Sequence, residues 1–275
     1  MVLASQNANA SIRRVGYFGT GAGSNANLQN ITGSMTIYIT LNTGSDNSVI
    51  TGLDGFNVDE ITDKSISNIT ITRYNGYIYF YDKTYNNWQI KQCYLSYLES
   101  VNATSKPTNL LVSNCYIAYL DFVTLNSQTG QFVNNIFAGS INNFGNGACL
   151  LSNNIFLYGH SGEANCTYQN NIADNSYPLP TGNGNQNLTT SQINGLFVGY
   201  PNQSTYSNDG RYVLKVGSLA IGTGTGGTDC GIYGGTNPYR LSGIPAIPAF
   251  YKLTAPSTIT GGNPYTITFS VRSNN

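Results

Sequence analysis

One short phrase is written six times between residues 66 and 175. The copies are ITITRYNGYI (69–78), WQIKQCYLSYL (88–98), LLVSNCYIAYL (110–120), QFVNNIFAGSI (131–141), LLSNNIFLYG (150–159) and TYQNNIADN (167–175). Aligned on the residue after the polar pair, the copies are anchored at Tyr74, Cys93, Cys115, Ile136, Ile155 and Ile172. The anchors lie 19, 22, 21, 19 and 17 residues apart. A repeat near 20 residues, irregular only in its connections, belongs to a solenoid whose rungs stack and whose loops vary in length. No single rung can bury its own apolar side, so the repeat implies a continuous core running along a stack.

Columns through the repeat assign directions. Position −3 is Ile71, Ile90, Val112 and Val133, and position +2 includes Leu95, Ile117, Ala138 and Leu157. With the Cys and Ile anchors, these columns are expected to point inward. Position −1 is Asn114, Asn135, Asn154 and Asn171, preceded by Gln92 and Arg73. Asparagine tolerates the left-handed backbone of a tight corner, and its amide can bond the next rung. This column is read as a structural ladder. Upstream, MTIYITL (35–41) alternates as a strand, SVITGLDGFNV (48–58) reads as a first, less regular rung, and VDEITDKS (58–65) as an exposed loop.

Asparagine columns flanked by aliphatic stacks resemble the right-handed parallel β-helix proteins, which include pectate lyases, polygalacturonases and tailspikes. The stretch YVLKVGSLAIGTGTGGTDCGIYGGTNPYR (212–240) also resembles the closing segment of secreted bacterial β-helix proteins of the Bacteroidota type. In those a phrase like GSPAIGxGxxxxDxGxYGG ends the solenoid. Leu219 stands where the phrase carries Pro, and Asp229, Gly231, Tyr233, Gly234 and Gly235 match. The resemblance spans about 200 residues and implies an all-β fold: a right-handed parallel β-helix over 35–235, an irregular N-terminal segment or cap at 1–34, and a C-terminal tail at 236–275. The tail is expected to hold a hairpin around TGGNP (260–264). The resemblance implies architecture and no particular activity.

Composition narrows the partners. Charged residues are 9% of the chain, 12 basic against 12 acidic, so no basic footprint exists for nucleic acid or an anionic membrane. No apolar run reaches the length of a membrane helix, and the first residues show no signal-peptide pattern. Sparse charge with 21 Tyr and 31 Gly suits an extracellular or cell-surface β protein. Among the five Cys, Cys93 and Cys115 share one position, and Cys149 and Cys166 another. Rung-to-rung disulfides and buried thiols are both readings of these pairs; parallel Cβ vectors favour thiols.

Chemistry has few candidates. Glu99 and Asp121 both lie at +6 from their anchors, so they should stack as a carboxylate pair of general acid/base type. The phrase YGHSG offers His160, without the Asp-rich phrases of polygalacturonase-like enzymes. No cofactor is expected; carboxylates spread one per rung would suit only calcium, and weakly. The remaining candidate is aromatic. Position +1 carries Tyr94, Tyr116, Phe137 and Phe156, and position +4 carries Tyr97 and Tyr119. An outward column of rings would stack against sugars or an apolar partner. The expectation is therefore a non-catalytic secreted or surface protein binding a polysaccharide or a surface protein along this face. A polysaccharide lyase or glycoside hydrolase is the first alternative, and a purely structural assembly subunit the second.

Overall fold

The computed structural model describes residues 66–81, 84–101, 106–122, 130–142, 148–160, 165–202, 206–241 and 267, with strands at 27–28, 37–40, 49–51, 54–59, 249–254 and 268–272 flanking them. The expected cap at 1–34, apart from residues 27–28, and the turn at 260–264 lie outside the described residues; of the loop expected at 58–65, residues 58 and 59 instead close the strand Asp54–Asp59, and 60–65 lie outside the described residues.

The chain is a parallel β-solenoid. One face, here face A, is an eight-stranded sheet in the order Asn27–Leu28, Val49–Thr51, Thr70–Thr72, Gln89–Lys91, Leu110–Ser113, Gly130–Val133, Cys149–Ser152 and Thr167–Gln169. Face B has eleven strands, including Asn75–Phe80, Tyr94–Ser100, Tyr116–Ile117, Leu120–Phe122, Ile136–Phe137, Ile141–Asn142, Ile155–Phe156, Ile172–Asp174 and Gln186–Leu188. A short third face pairs Ile66–Ser67, Thr84–Asn86 and Lys106–Thr108. Every pairing within these three faces is parallel, as successive rungs require.

Left-handed residues make the corners. Asn68, Asn87 and Asn109 turn the third face into face A; Arg73, Gln92, Asn114, Asn134, Asn153 and Asn170 turn face A into face B. Each has a φ between 51° and 59°. This conformation costs a non-glycine residue about 1–2 kcal/mol, which side-chain amide bonds help offset. At the first corner Asn87 Nδ2 donates to Asn68 Oδ1 at 3.0 Å, and Asn109 Nδ2 to Asn87 Oδ1 at 3.1 Å.

Here the observed register corrects the sequence alignment by one residue. Tyr116 pairs with Ile136, and Ile117 with Phe137. The residue equivalent to Cys115 is therefore Asn135, so Asn135, Asn154 and Asn171 continue the Tyr74–Cys93–Cys115 column, and all three are fully buried. Because strand side chains alternate with period two, a slip of one exchanges inside for outside. Phe137 and Phe156, expected on the surface, follow Leu95 and Ile117 into the core at 0% and 1% exposure. Ile136, Ile155 and Ile172, expected inside, face away from it. Val133 likewise yields the inward column Ile71–Ile90–Val112 to Phe132.

The buried asparagines form a continuous amide ladder. Asn135 Nδ2 donates to Asn154 Oδ1 (3.1 Å), Asn154 Nδ2 to Asn171 Oδ1 (3.0 Å), and Asn171 Nδ2 to Asn185 Oδ1 (3.1 Å). Each amide also donates to a backbone carbonyl of the preceding rung, Val112, Phe132 and Leu151 respectively. The backbone N–H of each rung's asparagine donates to the next ladder oxygen as well.

What covers the outward isoleucines is the segment after the solenoid. A capped helix, Thr190–Asn194, ends the stack, and the chain then runs back along the face A–face B corner. The corner asparagines hold it. Asn153 Oδ1 accepts from Thr225 N (2.8 Å), Asn134 Nδ2 donates to Asp229 O (2.8 Å), Asn114 Nδ2 to Gly234 O (2.7 Å), and Gln92 Nε2 to Pro238 O (2.7 Å). Read in chain order, the strap descends from the Asn153 rung to the Gln92 rung. Beneath it a second apolar core joins Tyr116, Ile136, Ile155 and Ile172 to Leu196, Phe197, Tyr212, Cys230 and Ile232. Gly231, at φ +87°, lies so close to Ile155 that a Cβ would sit 2.9 Å from its Cδ1. The phrase 217–235 is thus a lateral strap in this chain.

Residues Met1–Tyr239 form one compact unit and Arg240–Asn275 another. In the second, Ala249–Thr254 pairs antiparallel with Thr268–Arg272.

Candidate lateral binding face

The outward positions of face B beyond the strap form a small lattice. On the strand Asn75–Phe80 the buried Ile78 and Phe80 alternate with half-buried Tyr77 and Tyr79. Tyr97 stands opposite Tyr77, and Glu99 opposite Tyr79; one rung on, Glu99 stands opposite Asp121. Tyr119, one residue before the Leu98–Leu120 pair, continues the Tyr77–Tyr97 column. Asp121 is followed by Asn142 in its own column. Two parallel columns result, Tyr77–Tyr97–Tyr119 and Tyr79–Glu99–Asp121–Asn142.

The rings are packed on one another. Tyr77 and Tyr97 stack with centroids 5.3 Å apart and 16° between planes, and Tyr119 tilts by 54° at 5.2 Å from Tyr97. Tyr77 and Tyr79 are near parallel along the strand at 6.1 Å. Stacked rings occupy each other's faces, so the column presents edges and hydroxyls. Tyr97 is 38% exposed, the most open of the group. Tyr119 Oη donates to Asp121 Oδ2 at 3.0 Å, which orients both.

Electrostatically the patch is negative. Among the described residues, its outward positions carry no Lys or Arg. Partial burial and the neighbouring Asp121 charge raise the Glu99 carboxyl above its ordinary value. Tyr79 is pushed up to about 12, by burial first and by Glu99 second. The Glu99 shift has a consequence for stability. A carboxyl whose folded pKa is raised loses folding free energy as pH rises from its unfolded to its folded value. Glu99→Gln is therefore expected to raise the thermal midpoint slightly at neutral pH. The gain shrinks as pH falls through the Glu99 titration, and melts across a pH series check the sign.

The other predicted residues fall elsewhere. Tyr94 and Tyr116 stack on face B at 4.1 Å and 6°, but the chain returning after the solenoid packs against them: the Tyr212 ring is 5.0 Å from Tyr116, Tyr116 is 7% exposed, and Tyr94 is half-buried against the second core. Phe137 and Phe156 are in the core. His160 bridges to Ile141 and so continues the inward Ile78–Leu98–Leu120–Ile141 column; its ring lies 5.4 Å from Phe156, away from the carboxylates. Of the aromatic expectation, Tyr97 and Tyr119 keep outward positions apart from the second core, against which the half-buried Tyr94 packs. The stacking of Glu99 on Asp121 is observed. Among the described residues no three metal-ligating side chains cluster.

Tyr77 and Tyr79 were missed by column counting. A bulge between Leu95 and Tyr97 inserts Ser96, so Tyr77 stands at +3 from its anchor where Tyr97 stands at +4. The alternation in NGYIYF was the signal that could have found them. No family model matches this chain, and no curated protein or solved structure is significantly similar to it.

Proposed function

We propose that this protein binds a glycan chain laid along the solenoid axis, across the Tyr77–Tyr97–Tyr119 column and its carboxylate neighbour. The observation that carries the reading is the repetition of the lattice at one rung per step, about 4.8 Å. A polymer following the axis meets a phenol hydroxyl and a hydrogen-bond acceptor or amide at each step. Tyrosine supplies contact area at low entropic cost, and its hydroxyl and ring edge match the mixed polar and CH surface of a sugar. Sparse charge over the whole chain supports an extracellular or cell-surface setting, where such polymers are met.

Tyr97→Ala tests it. Tyr97 is exposed, so its removal should move the thermal midpoint by no more than a few degrees while weakening glycan retention at least tenfold, the scale of a central aromatic anchor. Affinity electrophoresis in neutral and acidic polysaccharide gels is the measurement. Equal retention of wild type and Tyr97→Ala in every gel, or no retention of either, would sink the reading.

One observation favours a second reading. Glu99, whose carboxyl is raised by burial and by the Asp121 it stacks on, is the arrangement in which one carboxyl acts as acid and its neighbour as base or nucleophile. Release of reducing ends by the wild type and its loss in Glu99→Gln would move the assignment from binding to hydrolysis.

A further inference from the structure

The four cysteines in vertical pairs are not equivalent. All five cysteines of the chain are thiols. In the first pair, Cys93 and Cys115 are fully buried, and their sulfurs point the same way. Cys93 Sγ donates to Lys91 O at 3.1 Å and Cys115 Sγ to Ser113 O at 3.2 Å, each two residues back in its own rung. Burial pushes the Cys115 thiol well up. Full burial keeps a soluble oxidant from this pair.

The second pair lies on face A. Leu150 pairs with Thr167, so Cys149 and Cys166, each one residue earlier, stand opposite one another on consecutive rungs. As in the first pair, the two side chains hydrogen-bond each other, and the Gly130 backbone adds a second bond to Cys149; what differs is exposure. These bonds hold the Cys149 thiol below its ordinary value despite burial, the Cys166 bond being the larger influence. Cys166 is only half-buried, so a soluble oxidant can meet it. On the other side of Cys149 the neighbouring rung presents Gly130, where an added Cβ would lie 3.6 Å from the Cys149 sulfur. Strands about 4.8 Å apart fall within the Cα separation that a disulfide spans.

We propose that Cys149 and Cys166 are a redox site that closes a rung-to-rung disulfide in an oxidising environment, while Cys93 and Cys115 remain thiols. With a small disulfide such as glutathione disulfide as oxidant, the Cys166 thiolate attacks one sulfur and releases one glutathione thiolate. The Cys149 thiolate then attacks Cys166 Sγ and displaces the second. Two protein thiols are oxidised, one external disulfide is reduced to two thiols, and the two protons lost by the protein end on glutathione. The bond ties two rungs across residues 150–165 and restricts the unfolded chain.

The test uses the full chain equilibrated in glutathione buffers from reducing to oxidising, then alkylated and mapped by mass spectrometry. The expected result is loss of two alkylatable thiols, a linked Cys149–Cys166 peptide, and Cys93 and Cys115 still alkylated after denaturation. The thermal midpoint should rise by roughly 5–10 °C on oxidation, and this rise should be absent in Cys166→Ser. Cys166→Ala, at a half-buried site, guards against a folding defect of the serine variant. A stable glutathione adduct on Cys166 without the internal bond would overturn the proposal. So would a Cys93–Cys115 bond formed at the same potential, or an unchanged thiol count in the most oxidising buffer.

Discussion

Asn154→Ala is expected to cost about 3–5 kcal/mol. Asn154 is fully buried at the centre of the amide ladder. Its Oδ1 accepts from both Asn135 N at 2.8 Å and Asn135 Nδ2 at 3.1 Å, while its Nδ2 donates to Phe132 O at 2.8 Å and Asn171 Oδ1 at 3.0 Å. Alanine removes all four bonds and leaves partners in a dry interior. Each buried group left unsatisfied costs about 1–3 kcal/mol, and Asn135 N and Phe132 O are two of them. At roughly 2–4 °C per kcal/mol for a chain of this size, the thermal midpoint should fall by about 10 °C. Circular dichroism melts at matched pH decide it, and a midpoint within 2 °C of wild type would contradict the ladder's role. The exposed corner amide Asn87, whose side-chain partners Asn68 and Asn109 are exposed as well, should lose much less on the same substitution.

Ile232→Ala is the second large effect, and it acts on the strap. Ile232 is fully buried in the second core, and its carbonyl accepts from Asn114 Nδ2 at 3.0 Å and Tyr239 N at 2.7 Å. Truncating a buried isoleucine costs about 2–5 kcal/mol. The stack of rungs has its own core, so the loss should be local at first. Amide exchange is expected to accelerate at 230–239 and at Tyr116 while the face A amides of Leu111–Ser113 stay protected. Equal acceleration in both places would mean that strap and solenoid unfold as one unit.

Much of the fold is legible in residue order because stacking imposes one demand at every rung. Apolar positions recur near every 20 residues since each must cover the same interior. Asn114, Gln92 and Arg73 could be placed at a corner because few residues accept a left-handed backbone. The carboxylate pair was legible for the same reason: Glu99 and Asp121 lie at equal distances from anchors in true register. The aromatic site was less so. NNIF contains two consecutive asparagines with two different tasks, the first turning the corner (Asn134, Asn153) and the second filling the ladder. Residue type alone does not separate them. Choosing the wrong one moved Phe137 and Phe156 to the surface on paper and Ile136 and Ile155 to the interior.

What the sequence by itself determined is that this chain stacks, with what repeat, and with which residue types at its bends. Those follow from local backbone preference and from the need of every rung to bury one side. Which outward residues meet solvent was decided only by the tertiary structure. The chain returning after the solenoid, its strap included, packs against Tyr94 and Tyr116 and leaves Tyr97 and Tyr119 open. Its path depends on bonds from Gln92, Asn114, Asn134 and Asn153 to residues about 70 to 150 positions away, contacts that no local pattern encodes.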